Sequence, residues 1–174
     1  MRDADASQPE QGGAGPSAKP APSGKGVGFQ PSLKGRALRL LSQREHSRQE
    51  LERKLRPFEE VPGELAQALD FLQAKDFINE QRVVESVVNR RASKLGASRV
   101  KQELQAKGLD PQAVSEALQG LRDTEVDRAR EVWRKKFGQP ALDANERAKQ
   151  MRFLLTRGFA AEAVRRVVRG ADED

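Results

Sequence analysis

The sequence predicts an all-α protein: an elongated array of three tandem three-helix repeats behind a disordered N-terminal tail. Three observations predict it. Apolar residues recur at spacings of three and four, with no sustained alternation of the kind a strand needs. Capping residues and glycines punctuate these stripes where helices should start and stop. The combined pattern of apolar residues and turns superposes on itself at offsets of 49 and 50 residues.

Residues 1–31 are a different material from the rest. They are Gly, Pro, Ala and Ser with scattered charges, and beyond Met1 only Val27 and Phe29 are bulky and apolar. Such a segment buries too little surface to offset the entropy of ordering its backbone, so a disordered tail is expected. Arg2, Lys19 and Lys25 balance Asp3, Asp5 and Glu10, so the net charge of +6 belongs to the remainder, with 29 basic and 23 acidic residues.

The helices follow in order. The pattern turns helical at Ser32, giving a first helix over 33–43. Ser47-Arg48-Gln49-Glu50 is a capping box ahead of Leu51 and Leu55, predicting a helix over 47–56. Leu65, Leu69 and Leu72 share one stripe of a helix over 62–74; Val83, Val84, Val87 and Val88 mark one over 79–95. Val100 and Leu104 carry the fifth, 98–107. Asp110-Pro111 supplies a cap and a first-turn proline to the sixth, 111–121, striped by Val114, Leu118 and Leu121. The seventh spans 124–137 and ends on Arg134, Lys135 and Lys136 before Gly138. Asp143 with Glu146 repeats the capping logic for the eighth, 143–157, and Val164, Val167 and Val168 stripe the ninth, 160–169. Gly96, Gly108, Gly138, Gly158 and Gly170 stand where helices should end.

The repetition groups these helices in threes. Leu104, Gly108, Ala113 and Val114 superpose on Leu154, Gly158, Ala163 and Val164, and Lys107 falls on Arg157. Leu51, Leu55, Pro62, Leu65 and Leu69 superpose on Val100, Leu104, Pro111, Val114 and Leu118. The expected organisation is a tail over 1–31, repeats over 32–78, 79–121 and 122–170, and an acidic end at 171–174. Repeats that bury their faces on neighbours form extended arrays, which suit a macromolecular partner better than a small molecule.

Composition excludes several chemistries. With no Cys there is no disulfide scaffold, thiol chemistry or Cys-ligated metal, and a single His, His46, argues against a His-ligated one. No phosphate-cradling glycine motif is present. His46 precedes a capping box and reads as a turn residue helping to cap, not as a general base. Glu50 and Lys54, four apart, read as a solvated helical pair rather than as paired catalytic carboxylates. Neither a catalytic site, a metal nor a cofactor is expected. A charged fraction of 33% and a mean hydropathy of −0.77 leave no apolar run of membrane-spanning length, and no secretory signal is evident, so a soluble, cytoplasmic protein is expected.

The cations are the stronger lead. Arg90, Arg91 and Lys94 cluster at the end of the fourth helix, followed by Arg99, Lys101 and Lys107; Arg147, Lys149, Arg152 and Arg157 run along the eighth, and Arg165, Arg166 and Arg169 along the ninth. Cations near helix C-termini are ordinary, because the macrodipole favours them. Their concentration in the second and third repeats points instead to an anionic partner. Arg91 shares a stripe with Val84, Val87 and Leu95 and should flank the core. Trp133, Phe71, Phe77, Phe137, Phe153 and Phe159 fall mostly at core-like or turn positions, so aromatics are not expected to interleave with the cations as base-stacking platforms.

Three segments carry a family resemblance. The stretch from Ala37 through His46-Ser47 to Leu51 resembles the opening motif of the RecX family, regulators of the RecA recombinase. Asn89 to Gly96, with Arg99 to Leu104 and Lys107-Gly108-Leu109, resembles its middle motif. Glu146 to Lys149, Arg152 to Phe159 and Glu162 to Val168 resemble its closing one. The chain departs from the family in its long Gly/Pro/Ala tail and in Lys94-Leu95 of the middle motif. The resemblance implies tandem three-helix repeats, no catalytic site, and a monomer that lies in the groove of the RecA filament on single-stranded DNA. There it would block extension, favour disassembly and lower ATPase, strand-exchange and co-protease activity, with weak contact to single- or double-stranded DNA. The contacting set expected from the basic clusters is Arg90, Lys94, Arg99, Lys101, Lys107, Arg147, Lys149, Arg152, Arg157, Arg165 and Arg166. Two other classes stay open: a direct DNA-binding module built on its paired short helices, and a generic helical adaptor.

Overall fold

The computed structural model describes residues 30–170, and among these it has nine α-helices and no strand. The expected N-terminal tail, apart from its last two residues, and the acidic end at 171–174 lie outside the described residues. The helices are α1 Leu33–Leu41, α2 Arg48–Leu55, α3 Glu64–Ala74, α4 Glu80–Arg91, α5 Ala97–Ala106, α6 Pro111–Asp123, α7 Glu125–Lys136, α8 Ala144–Thr156 and α9 Ala161–Gly170. A single 3₁₀ turn, Arg56–Phe58, follows α2.

Side-chain caps start most of these helices by satisfying amide donors that have no intrahelical partner. Ser32 Oγ accepts from the Gly35 amide, Asn79 Oδ1 from Arg82, Asp110 Oδ2 from both Gln112 and Ala113, and Asp143 Oδ1 from Glu146. The capping box at Ser47 closes in both directions: Ser47 Oγ accepts from the Glu50 amide at 3.1 Å, and Glu50 Oε2 accepts from the Ser47 amide at 3.0 Å. Gly108 and Gly158 follow α5 and α8 in the left-handed region, at φ 66° and 84°, where a side chain is strained.

Some boundaries differ from expectation for physical reasons. Helix α4 stops at Arg91 rather than 95, because the Arg91 carbonyl is taken by the amides of both Lys94 and Leu95 in a tight turn. Gly96 does not end a helix; its backbone is extended and it stands at the N-terminus of α5. Helix α3 begins at Glu64 rather than 62, after a left-handed Gly63 at φ 90°. Phe71 and Phe77, expected at core-like or turn positions, are both exposed; Phe77 lies in the turn after α3, and Phe71 on the helix carries Lys34 Nζ 3.9 Å above its ring.

Three apolar clusters follow one another along the chain. The first gathers Leu33, Leu51, Leu55, Leu69 and Leu72 from α1–α3; the second Val83, Val87, Val100, Leu104 and Leu118 from α4–α6; the third Ala129, Trp133, Leu154, Phe159 and Val164 from α7–α9. Superposed positions do the same work: Leu104 and Leu154 are buried, as are Val114 and Val164 and the pair Leu109 and Phe159 that follows each left-handed glycine. Trp133 is in the core as expected, its indole Nε1 donating to Gln150 Oε1 at 2.8 Å.

The junction between the first and second clusters is polar. Ser47 Oγ donates to the Lys107 carbonyl at 2.6 Å, and Lys107 Nζ donates to Glu50 Oε1 at 2.7 Å. Arg44 Nη2 reaches the same oxygen at 3.1 Å. Burial works to raise the Glu50 carboxyl, but the hydrogen bonds from Arg44, Lys107 and the Ser47 amide outweigh it and bring the carboxyl down to about 2. His46 is buried in the turn above, with Nδ1 3.0 Å from the Arg44 carbonyl oxygen. Burial is the main force that lowers its imidazole below the ordinary value.

Candidate functional site

Three helix C-termini meet between the second and third clusters, and each carries cations. Helix α4 ends on Arg90 and Arg91 with Lys94 in the following turn; α7 ends on Arg134, Lys135 and Lys136; α8 is capped by Arg157. Each C-terminus carries the negative end of its dipole, which offsets part of the repulsion that crowds these charges.

They line a trough. One cavity of about 480 Å³ is lined by Arg91, Ser93 and Lys94 from the end of α4 and its turn and by Lys135 and Lys136 from α7, with Leu95, Val132, Phe153 and Arg157 completing its lining. A second, about 500 Å³, shares Arg91, Leu95 and Arg157 and adds Arg99, Gln102, Glu103 and Thr156. Glu103 is the one carboxylate in this lining, and it is committed: Arg90 Nη2 and Arg91 Nε donate to its two oxygens at 2.9 and 2.8 Å. Burial acts to raise the Glu103 carboxyl, but these two arginines hold it below the ordinary carboxylate range. Phe153 has two ring neighbours, the Arg157 guanidinium 4.0 Å from its ring centre and Phe137 in a T-shaped contact at 5.2 Å.

The trough is held by backbone. The Gly96 amide donates to the Arg157 carbonyl at 2.9 Å and the Ser98 amide to the Gly158 carbonyl at 3.2 Å. A Cβ at Gly96 would land on the Gly158–Phe159 peptide, and one at Gly158 would lie 2.7 Å from the Arg99 amide nitrogen. Arg128 clamps the same region from α7, donating from Nη1 to the Ala92 and Leu95 carbonyls at 2.9 and 2.7 Å and from Nη2 to Leu121 at 2.7 Å. Glu125 Oε1 accepts from the Ala97 amide at 2.9 Å. Fixed walls of this kind present their charges without a reorganisation cost on binding.

The predicted cations distribute unevenly. Lys94, Arg99 and Arg157 line the trough, and Arg90 borders it through Glu103. Arg147, Arg152, Arg165 and Arg166 are exposed on α8 and α9, with Arg165 bonded to Glu162 at 3.0 Å. Lys149 lines a smaller pocket beside Phe137 and Glu146, and Lys101 a separate cleft with Arg122, Leu109 and Leu118. Lys107 is not a surface cation. Its side chain is 10% exposed and its ammonium is bound to Glu50, so it belongs to the repeat junction. Arg91, Lys135 and Lys136, which belong to the basic clusters but not to the expected contacting set, and Phe153 line the trough as well. The stacking of Arg157 on Phe153 also overturns the expectation that aromatics and cations keep apart. The signal available for the lysines was their place at a helix C-terminus, which alone has an ordinary explanation.

Among the described residues no group of three His, Asp or Glu side chains is placed to hold a metal ion, and no helix is long and apolar enough to cross a membrane.

Comparison with known proteins follows the repeats. Family models match 34–72 as RecX, first three-helix domain, 79–118 as the second and 123–168 as the third. The chain is 53% identical over 143 residues to the regulatory protein RecX of Leptothrix cholodnii, covering 82% of this chain and 91% of that one. It is 51% identical over 146 residues to the regulatory protein RecX of Herminiimonas arsenicoxydans, covering 84% and 97%. In fold it is similar to the crystal structure of RecX from Lactobacillus salivarius, with a TM-score of 0.67 at 23% identity over 82% of this chain and 96% of that one.

Proposed function

The chain belongs to the RecX family of regulatory proteins, and on that premise we propose that it inhibits the RecA recombinase by lying in the groove of the RecA filament on single-stranded DNA. Bound there, it blocks extension and lowers ATPase, strand-exchange and co-protease activity. It acts as a cytoplasmic protein and as a monomer, without catalysis of its own. The observation that carries this reading is the basic trough between the second and third repeats. Its cations converge from three helix ends, its single lining carboxylate is neutralised, and its walls are bonded through the backbone. A filament groove offers both protein acids and DNA phosphates, and a preorganised cationic surface suits either.

We place the contacts at Arg90, Lys94, Arg99 and Arg157 around the trough, continued by Lys101, Arg147, Lys149, Arg152, Arg165 and Arg166 on neighbouring surfaces. Lys107 is left out of the set because it is already paired. The test is a titration of the protein into RecA turning over ATP on single-stranded DNA. ATPase should fall at protein concentrations well below that of RecA. Reversing Lys94, Arg99, Arg152 and Arg157 to Glu should abolish that effect while leaving the far-UV CD spectrum intact. No effect of the wild type up to several-fold excess would refute the reading.

A further inference from the structure

Two exposed features, one on the first repeat and one on the second, are opposite in kind. The turn ahead of α3 is an acidic knob. Val61 in it is 62% exposed, with Glu59, Glu60 and Glu64 beside it in the chain. The turn is fixed: the Glu64 amide donates to the Val61 carbonyl at 3.1 Å, and Glu59 Oε1 accepts from the Gly63 and Leu65 amides at 2.9 and 3.2 Å. Glu59 is thereby occupied. The carboxylates of Glu60 and Glu64 are exposed, and neither has an ion-pair partner among the described residues.

The packed pair α5 and α6 carries a cleft of about 450 Å³. Leu109, Val114 and Leu118 line it together with Lys101 and Arg122, and no carboxylate does. Neither cation has an ion-pair partner among the described residues. An exposed valine with two free carboxylates therefore meets its complement in aliphatic side chains with two free cations. The basic trough matches the knob less well, since two carboxylates would neutralise only part of its five lining cations. Knob and cleft are both open in the single chain, so the match is made between copies.

We infer that the chain associates with itself head to tail: the turn of one copy seats Val61 in the α5–α6 cleft of the next, with Glu60 and Glu64 on Lys101 and Arg122. The two sides of this contact are different surfaces, so each joined pair keeps a free knob and a free cleft, and contacts extend into a row. A single turn falls far short of the roughly 20–30 residues a side of a stable interface. Dilute chains are therefore monomers, and rows form where copies are held close together. The inference goes beyond regulation of RecA and does not need it. Of the cations placed against the filament only Lys101 takes part, and within a row its partner is the next copy.

The test uses the full chain without RecA or DNA. Sedimentation equilibrium of the wild type should show a mass that rises above 19.3 kDa with concentration. Lys101→Glu with Arg122→Glu should hold the mass at that of the monomer, and so should Glu60→Lys with Glu64→Lys. All four positions are exposed, and far-UV CD checks that the variants fold. Mixing the two double variants should restore the rise, because the acidic knob of one meets the basic cleft of the other. Lys135→Gln with Lys136→Gln, in the trough, should change nothing. The chain has no Cys, so engineered thiols report only on themselves. Val61→Cys mixed and oxidised with a size-tagged Ser115→Cys should give several-fold more heterodimer than the two homodimers together, which random collision makes equal. Gln119→Cys, exposed on α6 outside the cleft, should give only the random share. A random share from Ser115→Cys, a monomer mass at every concentration, or a mixture that stays monomeric would overturn the inference. A free peptide of residues 57–65 should lower the mass of the wild type. A scrambled peptide that lowers it equally would mean that the cleft takes any acidic segment, and would overturn the second copy as its occupant. None of these outcomes bears on the RecA ATPase titration, which can succeed or fail separately.

Discussion

Replacing Glu50 with Gln would test the polar junction between the first two repeats. Glu50 is 5% exposed, and its carboxylate holds Lys107 Nζ, Arg44 Nη2 and the Ser47 amide. An amide of the same shape keeps one acceptor and turns the other into a donor that faces the Ser47 N–H, while Lys107 stays buried without its counter-charge. The drop of the carboxyl from the ordinary value of 4.5 to about 2 corresponds to roughly 3 kcal/mol. Breaking a buried ion pair by removing one partner costs ~3–5 kcal/mol, which agrees. For a chain of this size the melting temperature should fall by on the order of 10 °C. The sign of the pH dependence follows from the lowered carboxyl. Its stabilisation is complete above about 4.5, where both folded and unfolded states are ionised, and is lost as pH falls from there toward 2. Thermal unfolding followed by far-UV CD at pH 7, 5, 4 and 3 should show a gap between wild type and Glu50→Gln that is nearly constant from 7 to 5 and narrows to about half or less by pH 3. A gap as wide at pH 3 as at pH 7, or one of less than about 2 °C at pH 7, would refute the assignment of Glu50 as the ion that ties the two repeats.

Three further substitutions probe the other contacts. Gly158→Ala forces a side chain into a left-handed conformation, a strain of roughly 1–2 kcal/mol, and presses a Cβ onto the Arg99 amide; hydrogen exchange at residues 96–99 should accelerate along with a lower melting temperature. Arg128→Met keeps most of the packing but strips hydrogen bonds from the Ala92, Leu95 and Leu121 carbonyls, and a urea titration should show a loss of roughly 3 kcal/mol with an unchanged slope. Gln150→Leu leaves the indole N–H of Trp133 buried without its acceptor, at a cost of ~1–3 kcal/mol, and the single tryptophan reports the earlier unfolding by its own fluorescence.

Much of the fold was legible because it is written locally. Stripes at three and four, a capping box at Ser47 and caps at Asp110 and Asp143 are properties of neighbouring residues, and helices obey them. Boundaries failed where a distant partner decides. Helix α4 gives way to a turn at Arg91, and the next residue after that turn, Gly96, bonds to the Arg157 carbonyl on a different repeat. The family resemblance carried the functional class, and the residues alone carried only a basic helical array. The trough was half legible. Lys94, Arg99 and Arg157 were in the expected contacting set, but nothing within the sequence says that the ends of α4, α7 and α8 converge. Lys107 misled for the same reason: its counter-ion lies 57 residues away, in a capping box that looks self-sufficient. Phe153 was assigned with the other aromatics because its stacked partner, Arg157, sits four residues on at a helix end, where either an exposed or a packed arginine is ordinary.

The two glycines that join the second and third repeats constrain how this protein can diverge. Where a junction contact involves a side chain, such as Arg128 on the Ala92 and Leu95 carbonyls, a loss at one position can be repaired by a change at another. A Cβ at Gly96 would meet main chain alone, and one at Gly158 would meet the Arg99 main chain as well as its side chain, and no substitution elsewhere shortens a peptide bond. Neither position can therefore accept a larger residue first and wait for the other to compensate. The apolar cores around them can exchange Leu, Val and Phe in small steps, as Leu109 and Phe159 already illustrate between two copies of one repeat. The spacing of the second and third repeats, and with it the width of the trough, is thus insulated from the drift that the helices themselves tolerate.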